Sequence, residues 1–202
     1  MPSFKPYLWN AVQRVFGAPD FKRKLYRSVL QAPGTLLDFG CATGHIADAF
    51  HEFEYYGVDL DPQSIETAKA RFAGNPNMHF LAADLHERPF DENFFDEIIF
   101  AGTVHHITDE LLVSLLKELH FCLKSGGRIH ILDPVLQAGD SALQRSVRRM
   151  DRGKHPRSVS EIKALVSSVR LFEIGPVSIH VTHGALIRDC DFAHMELRKR
   201  TS

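Results

Sequence analysis

Apolar residues fall along this chain in short runs separated by stretches of helical spacing. The first run, Leu36, Leu37 and Phe39, ends in a turn with glycines at 40 and 44. Ile46, Ala47, Ala49 and Phe50 then recur on one helical face, which predicts a helix after the turn. A second strand is predicted over 55–60, Tyr-Tyr-Gly-Val-Asp-Leu. The next helix opens at Asp61-Pro62, proline being tolerated in the first helical turn, and carries Ile65, Ala68, Lys69 and Phe72. A third strand covers 78–85, and a fourth runs from Phe95 to Ala101 through Ile98, Ile99 and Phe100. A fifth follows Gly126-Gly127 and ends at Asp133. Strands alternating with helices at this rhythm predict a parallel α/β sheet with right-handed crossovers.

The flanks read differently. Before the first strand, Phe4, Tyr7, Leu8, Trp9, Val12, Val15 and Phe16, then Phe21, Leu25 and Val29, mark one or two amphipathic helices over 1–30. A further helix is expected near Ser160, with Ser160 as its cap and Ile162, Leu165 and Val166 on one side. In the last third, 171–174 and 177–181 flank Gly175-Pro176, and 185–192 forms another apolar stretch. Arg198-Lys-Arg is read as a solvated tail.

The strand ends carry the chemistry. Asp38 sits two residues before Gly40, and the spacing G-x-x-x-G departs from the G-x-G-x-x-G that holds a pyrophosphate on a helix N-terminus. Asp38 repels a pyrophosphate and favours an ammonium group. Asp59 ends the second strand about 20 residues after the turn, where an acid accepts ribose hydroxyls. Asp84 ends the third. Each has a plainer reading, Asp38 as a helix cap and Asp84 as a turn residue. Asp96 precedes its strand, at the wrong end of the sheet for chemistry, and is read as structural.

With these motifs in order, the chain resembles the class I S-adenosylmethionine-dependent methyltransferases. The matching segments are LLDFGCATG at 36–44, GVDLDP at 57–62, AADL at 82–85, FFDEIIFAGTVHHI at 94–107 and LKSGGRIHILDP at 123–134. The resemblance implies a Rossmann-like, doubly wound, mostly parallel seven-stranded sheet with helices on both faces and an antiparallel edge strand, the stretches at 171–174, 177–181 and 185–192 supplying its antiparallel sixth and seventh strands. It implies S-adenosylmethionine as cofactor, with Asp38, Gly40, Cys41 and Gly44 around its methionine portion. By the same resemblance Asp59 holds the ribose, Leu60 and Leu85 sandwich the adenine, and Asp84 accepts from the adenine amino group. Ala101 and Gly102 line the sulfonium. The family often has a third glycine where this chain has Ala42.

Methyl transfer from a sulfonium is an in-line displacement, so the protein supplies positioning and, for some acceptors, a base. His105 and His106, after the fourth strand, are the candidates, since histidine titrates near neutrality. Asp133 and His155 are remote alternatives, and one histidine of the pair is expected to support the loop. The 1–30 segment reads either as a lid over the acceptor, with Tyr7 and Trp9 facing it, or as a cover for the sheet edge. Residues 145–157, within an insertion over 134–160, hold five arginines and one lysine against Asp151. Two readings stand: a solvated charged face, or an anion clamp in which Arg148, Arg149, Arg152 and His155 bind the acceptor.

Composition bounds the rest. A chain of 202 residues fits a single domain. Its net charge of −1 disfavours nucleic acid and membrane surfaces as partners. The three cysteines are too dispersed for a disulfide framework or zinc site, and no metal is expected; Cys122 falls on an apolar helix face. The start lacks a secretory segment, giving a cytoplasmic expectation. The expected activity is methyl transfer to a small, anionic acceptor, with a homo-oligomer left open. The competing readings are a nucleic-acid or protein methyltransferase docking through 145–157, and a non-catalytic cofactor-binding scaffold.

Overall fold

The computed structural model describes residues 18–136, 154–183 and 188–200. Helix α1 (Ala18–Val29) precedes β1 (Thr35–Phe39), β2 (Glu54–Asp59), α2 (Pro62–Arg71), β3 (Met78–Ala82) and β4 (Phe95–Ala101). Then come α3 (Asp109–Cys122), β5 (Leu123–Pro134), α4 (Val159–Val169), β6 (Phe172–His183) and β7 (Arg188–Lys199). These seven strands form one sheet in the order β3-β2-β1-β4-β5-β7-β6. β1 to β5 are parallel, and β7 runs antiparallel to both β5 and β6. The parallel strands β1 to β5 are those expected from the strand–helix rhythm, but the antiparallel strand β7 lies one in from the edge, with β6 outside it running the same way as β5.

Alternation along each strand sorts the core into two layers. Leu37, Ile98, Phe100, Ile129 and Ile131 face Leu112, Leu116 and Leu119 of α3 and Ile162 and Val166 of α4. Leu36, Tyr55, Ile99 and Leu132 face Leu25 and Tyr26 of α1 and Ile65 and Ala68 of α2. Strand order reverses between β1 and β4, so the turns after them open a crevice at the carboxyl edge.

Caps fix where the helices begin. Asp61 accepts from the backbone N–H of Gln63 and Ser64 at the start of α2. For α4 the cap is Ser158 in a capping box with Glu161, two residues before the expected Ser160. Ser158 wins because Glu161 stands three residues on and returns the bond.

Three expectations are corrected. The helix after the glycine turn is a single 3-10 turn, Ala47–Ala49. Its bonds run from Ala49 N–H to Ile46 O and from Phe50 N–H to Ala47 O, and the chain must already enter β2 at Glu54. Ile46, Ala47 and Phe50 are nonetheless buried, because three- and four-residue spacings share a face. Second, β6 continues through Gly175-Pro176 as one strand, with a register shift between Ile174 and Val177. Third, Arg198-Lys-Arg is no solvated tail. β7 runs to Lys199, whose Nζ donates to Asn93 Oδ1, His120 O and Leu123 O at 2.7–2.9 Å. Asp96 accepts from Thr35 N–H, Thr35 Oγ1 and Lys124 Nζ, each at 2.8 Å, a structural role at the amino edge.

Beneath α1 lies a buried polar network. Glu97, 3 % exposed, pairs with Arg128 and accepts from Gln31 N–H. Its other oxygen lies 3.0 Å from His130 Nε2, and His130 Nδ1 lies 3.1 Å from His194 Nε2. Burial, with the charges of His130 and His180, pushes the His194 imidazole down to about 4. Between the ordinary value near 6.5 and pH 4 the unfolded chain takes up this proton and the folded chain does not. Stability is therefore lost as pH falls through that window, by about 3 kcal/mol. Asp38, raised to about 6, acts with the opposite sign, so the His194 contribution is read as a difference between variants. Urea unfolding of wild type and His194→Gln at pH 7 and pH 4.5 should show their stability difference shift toward the variant in acid. A difference independent of pH would contradict this assignment.

Candidate active site

The crevice is built from the turns after β1, β2 and β4. Gly40 and Cys41 both donate backbone N–H to Val58 O, at 2.8 and 3.1 Å, stitching the first turn to β2. Gly40 has φ +79°, and a Cβ there would meet Thr103 Oγ1 at 2.7 Å, so the two turns approach as only glycine permits. Ala42 stands at φ +48°, the left-handed backbone that a glycine would adopt. Its N–H donates to Asp59 Oδ2 at 2.9 Å.

Asp38 is 3 % exposed and accepts from Tyr55 Oη at 2.7 Å. Burial pushes its carboxyl up to about 6, against the Tyr55 bond and the charge of Lys22. It caps no helix. A buried carboxylate raised in this way gains most from a cation placed beside it. Cys41 is 5 % exposed, and its Sγ lies 2.9 Å from where a Cβ on Gly57 would sit. Burial pushes this thiol up, so Cys41 forms the floor of the turn as a neutral side chain.

Asp59 also accepts from Asp61 N–H through Oδ1, at 3.0 Å. These two bonds fix its carboxylate, which has lone pairs left for further donors. Leu60, next to it, is 69 % exposed and offers an apolar surface to a flat ring. Leu85 does not match it: it is 3 % exposed and packed in the α3 layer. Of the two leucines expected to sandwich the adenine, the structure leaves Leu60 open and places Leu85 in the core. Its apolar chemistry made Leu85 equally suited to core, and the core took it.

Asp84 lies beyond β3 and caps the turn Leu85–Glu87. Its Oδ1 accepts from His86 N–H at 2.9 Å and sits 2.8 Å from His86 Nδ1, whose Nε2 is 2.9 Å from Ser114 Oγ. The bond from His86 N–H holds the carboxyl below its usual range. Both bonds use Oδ1, and the carboxylate has acceptor capacity on its second oxygen.

After β4, Gly102 has φ +66° and donates N–H to Leu132 O at 2.8 Å. Val104–His106 then form a 3-10 turn held by Asp133, at the end of β5. Asp133 Oδ1 accepts from Val104 N–H at 3.1 Å, and Oδ2 from His105 N–H at 2.9 Å. The same Oδ2 lies 2.9 Å from His105 Nδ1. His105 is 6 % exposed, whereas His106 is exposed, their ring centroids 4.0 Å apart. His155 donates its N–H to His105 O at 3.0 Å. His105, Asp133 and His155, widely separated in sequence, thus meet at one place.

The basic run divides. Arg157 is 6 % exposed and forks onto Val104 O, Ile107 O and Asp109 Oδ1 at 2.6–2.8 Å. It is a brace for the β4–α3 loop, because buried carbonyls claim its donors. Tyr7, Trp9, Arg148, Arg149 and Arg152 lie outside the described residues. Among the described residues, no cluster of His, Cys, Asp and Glu has metal-holding geometry, and no helix is long and apolar enough to cross a membrane.

Tyr55, Tyr26, Lys22 and Arg157 were absent from the sequence-derived site. Tyr55 had a signal, a hydroxyl in a run otherwise bound for the core. Tyr26 and Lys22 share a helical face but sit far from every motif.

A sheet in this order, with acids at the strand tips and glycine turns at the switch point, has the fold of the solved S-adenosylmethionine-dependent methyltransferases that it superposes on. Residues 36–127, a little under half of the chain, match the model of a methyltransferase domain family. A segment of 104 residues is 29 % identical to the demethylmenaquinone methyltransferase of Chlorobaculum tepidum, covering 50 % of this chain and 41 % of that protein. The chain thus spans less than half the length of this curated relative. An S-adenosylmethionine-dependent methyltransferase from Thermotoga maritima superposes with TM-score 0.75 at 18 % identity, over 96 % of this chain and 95 % of that one. The geranyl diphosphate C-methyltransferase of Streptomyces coelicolor, solved with Mg2+, geranyl diphosphate and S-adenosyl-L-homocysteine, gives TM-score 0.74 at 13 % identity, over 99 % and 88 %.

The residues present fit the cofactor. Asp38 is a buried carboxylate awaiting a cation, Asp59 is a fixed acceptor for paired hydroxyls, Leu60 is an open apolar face, and Gly40 and Gly102 keep side chains out of the crevice.

Proposed function

We propose that this chain methylates a small, anionic acceptor, with His105 as proton acceptor and Asp133 as its orienting partner. S-adenosylmethionine, when bound, supplies a methyl group on a sulfonium that leaves as a neutral thioether. The protein's part is then to hold both reactants in line and to take the acceptor's proton. The observation that carries this reading is the His105–Asp133 pair beside the Gly102 turn. Donation of Nδ1–H to the Asp133 carboxylate puts the ring's lone pair on Nε2 and stabilises the imidazolium formed when that atom takes a proton. Near-complete burial keeps bulk water from competing.

Asp38, Asp59, Asp84 and Leu60 hold the cofactor in this reading, with Ala101 and Gly102 beside the sulfonium. A small acceptor is supported by the relative named for demethylmenaquinone. An anionic one is supported by Arg148, Arg149 and Arg152, and by the geranyl diphosphate bound in one structural neighbour.

The test is a turnover assay on quinol, carboxylate and phosphate acceptors with wild type, His105→Ala and Asp133→Asn. His105→Ala is expected to lower kcat by about 100-fold or more while S-adenosylhomocysteine affinity stays unchanged. Asp133→Asn should lower kcat and displace the acid limb of its pH profile, which a loop anchor alone would not do. Full turnover by His105→Ala would remove the base role. Binding of S-adenosylhomocysteine without turnover on any acceptor would favour the scaffold reading.

A further inference from the structure

The glycine turn after β1 is held by different partners at its two ends. Its front half is pinned from β2, where Val58 O accepts from Gly40 and Cys41 N–H and the Asp59 carboxylate from Ala42 N–H. Its back half runs into the 3-10 turn Ala47–Ala49. An α-helix at that place would bond its own carbonyls residue by residue, whereas so short a turn bonds few of them. Gly44 O takes only a long bond, 3.4 Å, from Ala47 N–H. Arginines from two separate helices supply the rest. Arg71, the last residue of α2, donates Nη1 to Gly44 O at 2.9 Å. Arg23 of α1 donates Nη2 to His45 O at 2.5 Å and Nε to Asp48 Oδ1 at 3.0 Å. Arg27, one helical turn further on, reaches Ala49 O at 3.3 Å.

Two consecutive carbonyls are thus bonded by guanidiniums 27 and 22 residues away in the sequence. The Arg23 side chain is only 23 % exposed, and its third nitrogen, Nη1, lies 2.9 Å from Asp20 Oδ1. Asp20 is 89 % and Asp48 43 % exposed, and pairs with such open carboxylates contribute little. The bond that matters is the one to the backbone. It fixes the course of the main chain where the turn leaves the crevice.

We propose that Arg23 and Arg71 are positioning residues for cofactor binding. They set the back half of the glycine turn in its binding conformation before a ligand arrives, the task that a full helix would perform through its own hydrogen bonds. This rests on the S-adenosylmethionine reading of the crevice, and it assigns both side chains bonds to the chain rather than to the ligand. Without Arg23 the ligand must order the segment as it binds, and the cost appears as lost affinity. A lysine cannot replace the fork, because one ammonium does not span a carbonyl and a carboxylate in fixed geometry.

The experiment combines hydrogen–deuterium exchange of the unliganded protein with calorimetric titration by S-adenosylhomocysteine. The proteins are wild type, Arg23→Met, Arg23→Lys, Arg71→Met and Asp48→Asn. Arg23→Met should exchange faster over 40–50 while β1, β4 and β5 keep wild-type protection. Its affinity should fall about tenfold, the equivalent of ordering one backbone residue. Saturating S-adenosylhomocysteine should return 40–50 to wild-type protection. Arg71→Met should move in the same direction, Arg23→Lys should recover little, and Asp48→Asn should match wild type. Unchanged exchange over 40–50, unchanged affinity, or full recovery by Arg23→Lys would overturn the positioning role. Faster exchange throughout the sheet would overturn it as well, since that marks a general loss of stability. Wild type that leaves S-adenosylhomocysteine unbound, with 40–50 still loosened in Arg23→Met, would overturn the cofactor reading and the purpose given to the two arginines, but not their hold on the turn.

Discussion

Asp59→Ala is expected to weaken S-adenosylhomocysteine binding by about 100-fold or more. The reason is local. The carboxylate is held by the N–H groups of Ala42 and Asp61 at 2.9 and 3.0 Å, so it meets a ribose without reorganising. Two hydroxyls donating to a charged acceptor contribute about 1.5–3 kcal/mol each, and 3 kcal/mol in all is more than a hundredfold. The substitution also releases Ala42, which stands at φ +48° with its N–H bonded to that carboxylate. Loosening of the turn therefore adds to the loss. Asp59→Asn keeps the shape and an oxygen acceptor and should fall between the two. Calorimetry on the three proteins checks the order, and unchanged affinity in Asp59→Ala would remove Asp59 from the ribose site.

Arg157→Ala should be the most destabilising single substitution among the side chains that brace the loop after β4. The guanidinium is buried and bonds the carbonyls of Val104 and Ile107 at 2.7 and 2.8 Å, besides Asp109. Truncation leaves buried carbonyls without donors, a cost of about 3 kcal/mol or more. For a domain of this size that is a fall in Tm of roughly 6–12 °C. Turnover should fall as well, since Val104–His106 is the turn that presents His105. A lysine in its place would supply a point charge where a fork is needed, so Arg157→Lys should recover little. Asp109→Asn should do almost nothing, because its side chain is 61 % exposed and exposed ion pairs contribute little. Thermal unfolding of the three variants checks this, and a melting temperature unchanged in Arg157→Ala would contradict the bracing role.

Arg157 also shows where the sequence stops being informative. In a run of five arginines each looks alike, and what separates this one is a set of carbonyl oxygens some 50 residues earlier in the chain. Nothing local encodes that. The glycine turns, the strand rhythm and the place of Asp38 and Asp59 in their strands were legible because each is a short-range pattern: an apolar run, then a residue type that ends it. The helix after Gly44 failed for a definite reason. Apolar spacing reports which face is buried, and Ile46, Ala47 and Phe50 are buried as expected, but it does not distinguish 3-10 from α hydrogen bonding. The burial of Leu85 was not legible, because core packing and ring stacking ask for the same side chain. His105 was legible as a candidate, whereas Asp133 was read as a strand end and a remote alternative base, not as the partner of His105.

The most direct test of the cofactor site is a calorimetric titration of the wild-type protein with S-adenosylhomocysteine and NAD side by side. Asp38 beside the glycine turn, without pyrophosphate spacing, predicts saturable binding of S-adenosylhomocysteine and no heat with NAD. Binding of NAD with no response to S-adenosylhomocysteine would contradict it.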